Sequence, residues 1–245
     1  MTPTTPIAPT IPSTFVFNDW NLDLRAELYK EEFFRTSAWM TARDGWVAHW
    51  TGSTRAELAE LRGSRMAERS KHIGEIVSEH QSDVLIGYWN DKLKFGPTTH
   101  WFTSELVHAS LHLAGSVAMY FKDRFKRVRP WVLAPQLSPP ILPLPGHPAY
   151  PGGHSTQMYL MARILEDLSG EKDLMTVARE VAVNRERAGL NYPSDTQAGR
   201  HLADRMFDVL TTKCELFRLT LERAKDEWRR PASTMDLFVK NLPHQ

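Results

Sequence analysis

The chain has a single cysteine, almost no net charge and no long apolar run. Cys214 is the only cysteine among 245 residues, which excludes an intramolecular disulfide and any zinc or iron–sulfur site built from several cysteines. Thirty Lys and Arg against 29 Asp and Glu leave a net charge of +1, without the basic excess of a dedicated nucleic-acid binder. An apolar stretch of about 18 residues, as a membrane span needs, is missing. We expect a soluble, cytoplasmic protein that binds no nucleic acid and has no membrane span.

Strand patterns are also missing, because no segment alternates β-branched and polar residues between hairpin dipeptides. Helical patterns dominate from Phe15 onward, and 42% apolar residues suffice for a buried core. The sequence therefore predicts an all-α fold, a single-domain helical bundle over residues 15–245. The first fourteen residues, MTPTTPIAPTIPST, hold four prolines and no charge, which predicts a flexible tail and not a signal peptide.

Capping residues and helix formers locate the main helices and one long loop. Thr54 followed by Glu57 predicts a capping box at a helix start. Eight of the 16 prolines lie between Pro130 and Pro151, and proline both lacks an N–H and restricts the residue before it. That stretch is predicted to be an ordered loop that borders the functional site. Helices are expected over 54–77, 101–126, 154–168, 172–188 and 193–229.

Two segments on either side of this loop favour an anion. Lys122 and Arg129 are seven positions apart, so they share one helix face before Pro130 ends the helix. The sequence Pro-Gly-Gly-His that ends at His154 begins the next predicted helix. Free N–H groups and the helix dipole at such a terminus attract negative charge. We expect the two cations, the helix terminus and His154 to converge on one anion.

A third segment, NRERAGLNYPSD, places Arg185, Asn191 and Asp195 at intervals of six and four residues. Pro193 suits the first turn of a helix, which makes Asp195 a carboxylate in that first turn. Asn is also a common residue for capping a helix, so Asn191 is open to an N-cap interpretation.

In this order, the three segments resemble the signature of the type 2 phosphatidic acid phosphatase and vanadium haloperoxidase superfamily. That signature reads Lys, six residues, Arg-Pro; then Pro-Ser-Gly-His; then Ser-Arg, five residues, His, three residues, Asp. Every spacing matches, and the resemblance covers about residues 100–205. Gly152 and Asn184 stand where the signature has serines, and Asn191 stands where it has histidine.

The resemblance implies a helical bundle that holds phosphate, or isostructural vanadate, in its core. It also implies that His154 transfers protons and that Asp195 orients the side chain at position 191. Charge-assisted hydrogen bonds suit a tetrahedral oxyanion. The residues implied to bind the anion are Lys122, Arg129, Gly153 through its amide, and Arg185, with His147, Gly152 and Asn184 as possible pocket residues.

Asn191 decides which chemistry is expected. A carboxamide nitrogen has no basic lone pair, so it can neither attack phosphorus nor ligate vanadium as the superfamily's histidine does. We therefore expect no metal and no cofactor. The leading hypothesis is a repurposed enzyme in which His154, Asn191 and Asp195 carry out vanadium-independent acid–base chemistry on a small anionic or polarised substrate, which could be phosphorylated.

Several alternatives stay open. The protein could be an active phosphatase or a vanadium-dependent haloperoxidase that tolerates Asn191, or a non-catalytic binder of phosphorylated metabolites; a homodimer is possible. His201 is weighed as a replacement imidazole but is disfavoured by its position on the helix relative to Asp195. His108 and His112 have a spacing that can bind metal but are disfavoured because no third ligand accompanies them. Three further cations are expected to form a solvated face: Lys126, Arg127 and Arg187.

Overall fold

A long central helix over Trp101–Phe125 organises the fold, and helices pack around it without any strand in residues 20–137 and 141–229, the parts that the computed structural model describes. The all-α prediction is thereby confirmed for these ranges. The tail predicted over residues 1–14 lies outside the described residues. None of the described helices is long and apolar enough to cross a membrane.

The helices follow one another in this order: α1 (Leu22–Arg35), α2 (Ser37–Ala42), α3 (Thr54–Glu60), α4 (Met66–Glu68), α5 (Ile73–Ser78), α6 (Ser82–Leu93), α7 (Trp101–Phe125), α8 (Pro130–Leu133), α9 (Gly153–Ser169), α10 (Leu174–Arg187), α11 (Pro193–Lys213) and α12 (Glu215–Arg229). The predictions for α7, α9 and α10 agree with the structure to within two residues at each end. Gly170 and Gly189, with φ of 68° and 71°, follow α9 and α10 as predicted.

Helix α9 is packed between α7, α10 and α11, and α7 also packs against α1 and α12. Leu160 of α9, Leu106 of α7 and Leu202 of α11 are fully buried in this core. Gly199 lets α11 approach the start of α9, because a Cβ there would lie 2.6 Å from the carbonyl oxygen of Gly152. This close approach brings the first turns of α9 and α11 together.

Two predicted helices are interrupted. The stretch 54–77 continues through a π-helical turn (Leu61–Arg65) and a 3-10 turn (Arg69–His72). Its N-cap is Ser53 and not Thr54. The capping box is also wrong, because the Glu57 carboxylate accepts hydrogen bonds from Arg127 and from the amide of Ser194 instead.

The helix predicted over 193–229 ends at Lys213, and α12 begins after Cys214, which has extended dihedral angles. No glycine or proline marks this break in the sequence. Glu32 of α1 accepts hydrogen bonds from the amides of Leu216 (2.8 Å) and Phe217 (3.4 Å). A carboxylate from a distant helix therefore satisfies the first amides of α12, which local sequence patterns cannot indicate.

The proline-rich loop also holds local structure, since α8 begins at Pro130 and a 3-10 turn covers Pro135–Leu137. Its last residues, Pro148 to Gly152, lead directly into α9. The amide of Ala149 donates to the carbonyl of Arg127 at 2.9 Å, and the amide of Gly152 donates to the carbonyl of Asp195 at 2.8 Å. The loop end is therefore fixed against both the end of α7 and the start of α11.

Candidate functional site

A cavity of about 300 Å³ lies between α7, α9, the end of α10 and the proline-rich loop. Seven of the residues singled out in the sequence line it: Lys122, Arg129, His147, Gly153, His154, Arg185 and Asn191. Lys122 and Arg185 are 63 positions apart in sequence, so the fold and not local structure brings these side chains together. The remaining lining residues are His80, Gly115, Ala118, Met119, Pro145 and Gln157.

The Lys122 ammonium is buried against the loop end. It donates hydrogen bonds to the carbonyl oxygens of Pro148 at 2.8 Å and Ala149 at 2.7 Å. Burial lowers its pKa below the usual lysine value, and the neighbouring charge of Arg129 adds to this effect. The side chain therefore holds the loop in place at the edge of the cavity while keeping one of its three protons for another partner.

The Arg129 guanidinium is also engaged by backbone carbonyls. It donates to His147 O at 3.0 Å, to Leu190 O at 2.6 Å and to Pro148 O at 3.3 Å. His147 Nδ1 lies 3.1 Å from this guanidinium and 3.1 Å from Pro148 O, so it either accepts from Arg129 or donates to the carbonyl, depending on the tautomer. Burial and the charge of Lys122 lower the pKa of His147 to about 4, so this imidazole is neutral near pH 7.

Arg185 differs from both, because it makes no hydrogen bond to any described residue. Its side chain lies in the last turn of α10, the residue is 5% exposed, and Nη1 is buried without a partner. Burial lowers its pKa to about 10, so it remains charged near pH 7. A buried guanidinium without a partner is costly, and an anion in the cavity would satisfy it.

His154 stands in the first turn of α9, and its Nε2 lies 2.9 Å from the carbonyl oxygen of Glu79. Because a carbonyl only accepts, Nε2 carries the proton and Nδ1 keeps its lone pair. Burial, together with the charge of Arg185, lowers the pKa of His154 to about 3. In the absence of an anion, His154 is therefore a proton acceptor at Nδ1 and not a proton donor.

Asn191 is held by its amide nitrogen, which donates to Ala149 O at 3.0 Å and to Asp195 Oδ2 at 3.2 Å. Both bonds use Nδ2, and no described residue donates to Oδ1. The N-cap interpretation of Asn191 is wrong, because Tyr192 takes that position and its amide donates to Asp195 Oδ2 at 2.8 Å. Asp195 itself is fully buried behind Asn191 and does not line the cavity.

The two positions where the resemblance expects serines lie outside the cavity lining. A Cβ on Gly152 would be 3.0 Å from the carbonyl oxygen of Asp195, so a side chain there would require the neighbouring backbone to shift slightly. Asn184 is buried and donates to Glu79 Oε1 at 2.9 Å, while its oxygen accepts from Arg187 at 2.7 Å. Both residues were expected as possible pocket residues, and neither contributes a lining group.

Arg127 is a residue that the sequence analysis placed wrongly on a solvated face. It is 4% exposed, and Nη1 donates to Asp195 Oδ1 at 2.7 Å and to Ser194 Oγ at 2.6 Å. Nη2 donates to Glu57 Oε2 at 2.6 Å, and the guanidinium lies 3.8 Å from the ring centre of Tyr192. Arg127 thus fixes the carboxylate that holds Asn191. The position of Arg127, two residues before Arg129, matches no helical spacing that would have predicted its burial.

The other two cations expected on that solvated face differ in their burial. Lys126 is exposed, as expected, whereas Arg187 is buried and contacts Glu68, Glu180 and Asn184. The charge pattern in the sequence does not distinguish these outcomes, because Arg187 is buried by the packing of α3 to α5 against α10.

Glu79 and His80, at the end of α5, were not singled out in the sequence. Burial raises the pKa of Glu79 to about 7, and its side chain accepts hydrogen bonds from Asn184 and Tyr88. His80 lines the cavity, and its Nδ1 is buried without a partner. Glu79 and His80 belong to no recognisable sequence motif, so the sequence did not indicate that they lie at the cavity.

The other histidines considered lie elsewhere. His108 and His112 both contact Asp23 Oδ1 near the surface, at 2.7 and 2.9 Å. His201 lines a second, larger cavity of about 490 Å³, together with Trp46, Trp50 and Tyr150. His201 therefore does not contribute to the cavity that holds Arg185.

Among the described residues, no group of three or more His, Cys, Asp or Glu side chains is placed to hold a metal ion. Vanadate bonded to nitrogen does not fit position 191 either, because both Nδ2 hydrogens of Asn191 are donated and the nitrogen has no lone pair to offer. No protein-family model matches the chain, and a search of curated proteins finds no match.

Proposed function

We propose that the protein is an enzyme that binds the oxyanion of a small substrate at Arg185 and moves protons with His154, without vanadium. The observation that carries this proposal is the buried guanidinium of Arg185, which has no hydrogen-bond partner among the described residues and lies in the same cavity as Lys122 and Arg129. A phosphate group supplies acceptor oxygens in the tetrahedral arrangement that such donors favour. The superfamily resemblance supports the same ligand class and remains a proposal.

Anion binding changes what His154 can do. The positive charges of Arg185 and Lys122 are among the causes of its lowered pKa. An anion bound between them offsets those charges and raises the pKa of His154 toward the ordinary value. The imidazole therefore gains the ability to hold a proton when substrate is bound, and it can then deliver that proton to a leaving oxygen.

A second candidate is hydrolysis of a phosphate ester by direct attack of water, and the geometry of Asn191 favours it. Its amide group is fixed in one orientation by Ala149 and Asp195, and Oδ1 has no donor among the described residues. A fixed acceptor at the cavity wall is suited to orient a water molecule for attack. In this candidate no covalent intermediate forms on the protein.

The test is anion binding followed by turnover. Sulfate, phosphate and orthovanadate are titrated calorimetrically into wild type and Arg185→Gln, with Arg179→Gln, an exposed position on the same helix, as matched control. We expect Arg185→Gln to lose at least about tenfold in affinity, because a charged donor is removed. Unchanged affinity in Arg185→Gln would overturn the proposal.

Turnover distinguishes the candidates. Wild type and His154→Gln are assayed for phosphate release from monoesters and diphosphates and for bromide oxidation with vanadate. Phosphate release that depends on His154 supports direct hydrolysis, and robust bromide oxidation would contradict the vanadium-independent proposal. Anion binding without any turnover, unaffected by His154→Gln, would identify a binding protein.

A further inference from the structure

Three imidazoles line the cavity, and they differ in what their nitrogens contact. Nδ1 of His147 lies within hydrogen-bond distance of Arg129 and of the Pro148 carbonyl, and Nε2 of His154 donates to the Glu79 carbonyl. Neither ring nitrogen of His80 makes a hydrogen bond to a described residue, and Nδ1 is buried. Of the three, His80 is the imidazole whose two nitrogens are uncommitted within the described part of the chain.

The remaining polar groups of the cavity are poor proton acceptors. Lys122 and Arg129 donate to loop carbonyls. Burial lowers the pKa of Lys122 to about 7, but an anion bound beside it favours its charged form, and Arg185 is charged near pH 7. The amide of Asn191 has no basic atom. A reaction in which one oxygen loses a proton while another gains one requires two titratable groups, and His154 supplies only one of them.

We propose that His80 is a further catalytic residue, the proton acceptor that works together with His154 on the bound substrate. This inference rests on the proposed function and applies to hydrolysis of a phosphate ester. Water loses a proton to His80 as its oxygen bonds to phosphorus, the bond from phosphorus to the ester oxygen breaks, and protonated His154 delivers a proton to that oxygen. One water is consumed, and alcohol and phosphate are released.

The chain geometry also explains how the two imidazoles are reset. His80 follows Glu79 directly, and the Glu79 carbonyl holds the ring of His154 at 2.9 Å. His80 is close enough for its charge to contribute to the lowered pKa of His154. After each turnover, the proton gained by His80 can return to His154 through solvent in the shared cavity.

The first experiment compares His80→Gln with His201→Gln, a histidine that lines the other cavity. We expect His80→Gln to lower kcat for phosphate release by about 100-fold or more, since a positioned acid or base contributes about that factor. Sulfate affinity should stay within about threefold of wild type, which also shows that the variant folds. The acidic limb of the kcat profile against pH should flatten. Turnover within about threefold of wild type would overturn the proposal.

The second experiment needs no substitution and no turnover. Imidazole signals of the wild-type protein are followed by NMR during pH titration with and without sulfate, which keeps its charge across this range. We expect the ring signals of His80 to change when sulfate binds, as those of His154 do. If sulfate binds and His80 does not respond, His80 has no contact with the ligand and this proposal fails alone. If no anion binds, the proposed function fails as well.

Discussion

Replacing Arg127 tests whether the buried ion network fixes the cavity wall. The guanidinium joins Glu57 of α3 to Ser194 and Asp195 of α11, with oxygen contacts of 2.6 to 2.7 Å. It also lies 4.5 Å from the ring centre of Trp50. In Arg127→Gln, two nearly or fully buried carboxylates lose the cation between them.

The expected cost is about 3 to 5 kcal/mol in the free energy of unfolding, the range for removing one partner from a buried ion pair. Exposed ion pairs contribute only about 0 to 1 kcal/mol to stability. The larger range applies here because Arg127 contacts Asp195, which is fully buried. Burial raises the pKa of Asp195, so a proton can replace the lost cation at low pH. The deficit should therefore shrink as the pH falls from about 7 toward 5.

Urea denaturation at two pH values measures this difference. The neighbouring variant Lys126→Gln is the control, because Lys126 is exposed and its contact with Asp123 is 3.7 Å long. It should change stability by less than about 0.5 kcal/mol. A cost below about 1 kcal/mol for Arg127→Gln, or a deficit that grows at low pH, would refute the reasoning.

Three other outcomes are expected. Asn191→His should raise phosphate release or bromide oxidation at least tenfold, which corresponds to about 1.4 kcal/mol of activation barrier. The reason is that Asp195 Oδ2 can accept a hydrogen bond from an imidazole as it does from Asn191 Nδ2. Steady-state assays of the variant check this, and no gain in rate would contradict it. The folded-state pKa of His154, about 3, lies below the unfolded value of about 6.5, so its contribution to stability is present above pH 6.5, roughly, and is lost as the pH falls toward 3; thermal melts should show a smaller acid loss in His154→Gln. Gly199→Ala should lower the melting temperature by several degrees, because its Cβ would lie 2.6 Å from Gly152 O; an unchanged melting temperature would count against that close approach.

The sequence predicted α7, α9 and α10 closely, and local signals mark the ends of these helices. Gly170 and Gly189 end α9 and α10 because only glycine adopts positive φ without strain. The break at Cys214 was missed because its cause is Glu32, which lies more than 180 residues away in sequence. Likewise, Glu57 fits a local capping pattern but is used by Arg127 in the folded chain.

The spacing of the three segments predicted which side chains the structure brings together, since Lys122, Arg129 and Arg185 share one cavity. Spacing could not predict how each is used. Lys122 and Arg129 donate to carbonyls of the loop, whereas Arg185 makes no hydrogen bond to a described residue. His80 was missed because it comes from the end of α5, and only the packing of that helix against α10 places it at the cavity.

Two of the three positions that differ from the superfamily signature, Gly152 and Asn191, contact Asp195. The amide of Gly152 donates to the carbonyl of Asp195, and a Cβ at Gly152 would lie 3.0 Å from that oxygen, so a serine there would require the neighbouring backbone to shift slightly. Asp195 in turn accepts from Arg127 at one carboxylate oxygen and from Asn191 at the other. Both Nδ2 hydrogens of Asn191 and both carboxylate oxygens of Asp195 therefore have hydrogen-bond partners. The buried groups around position 191 thus fit asparagine, since buried polar groups are normally paired.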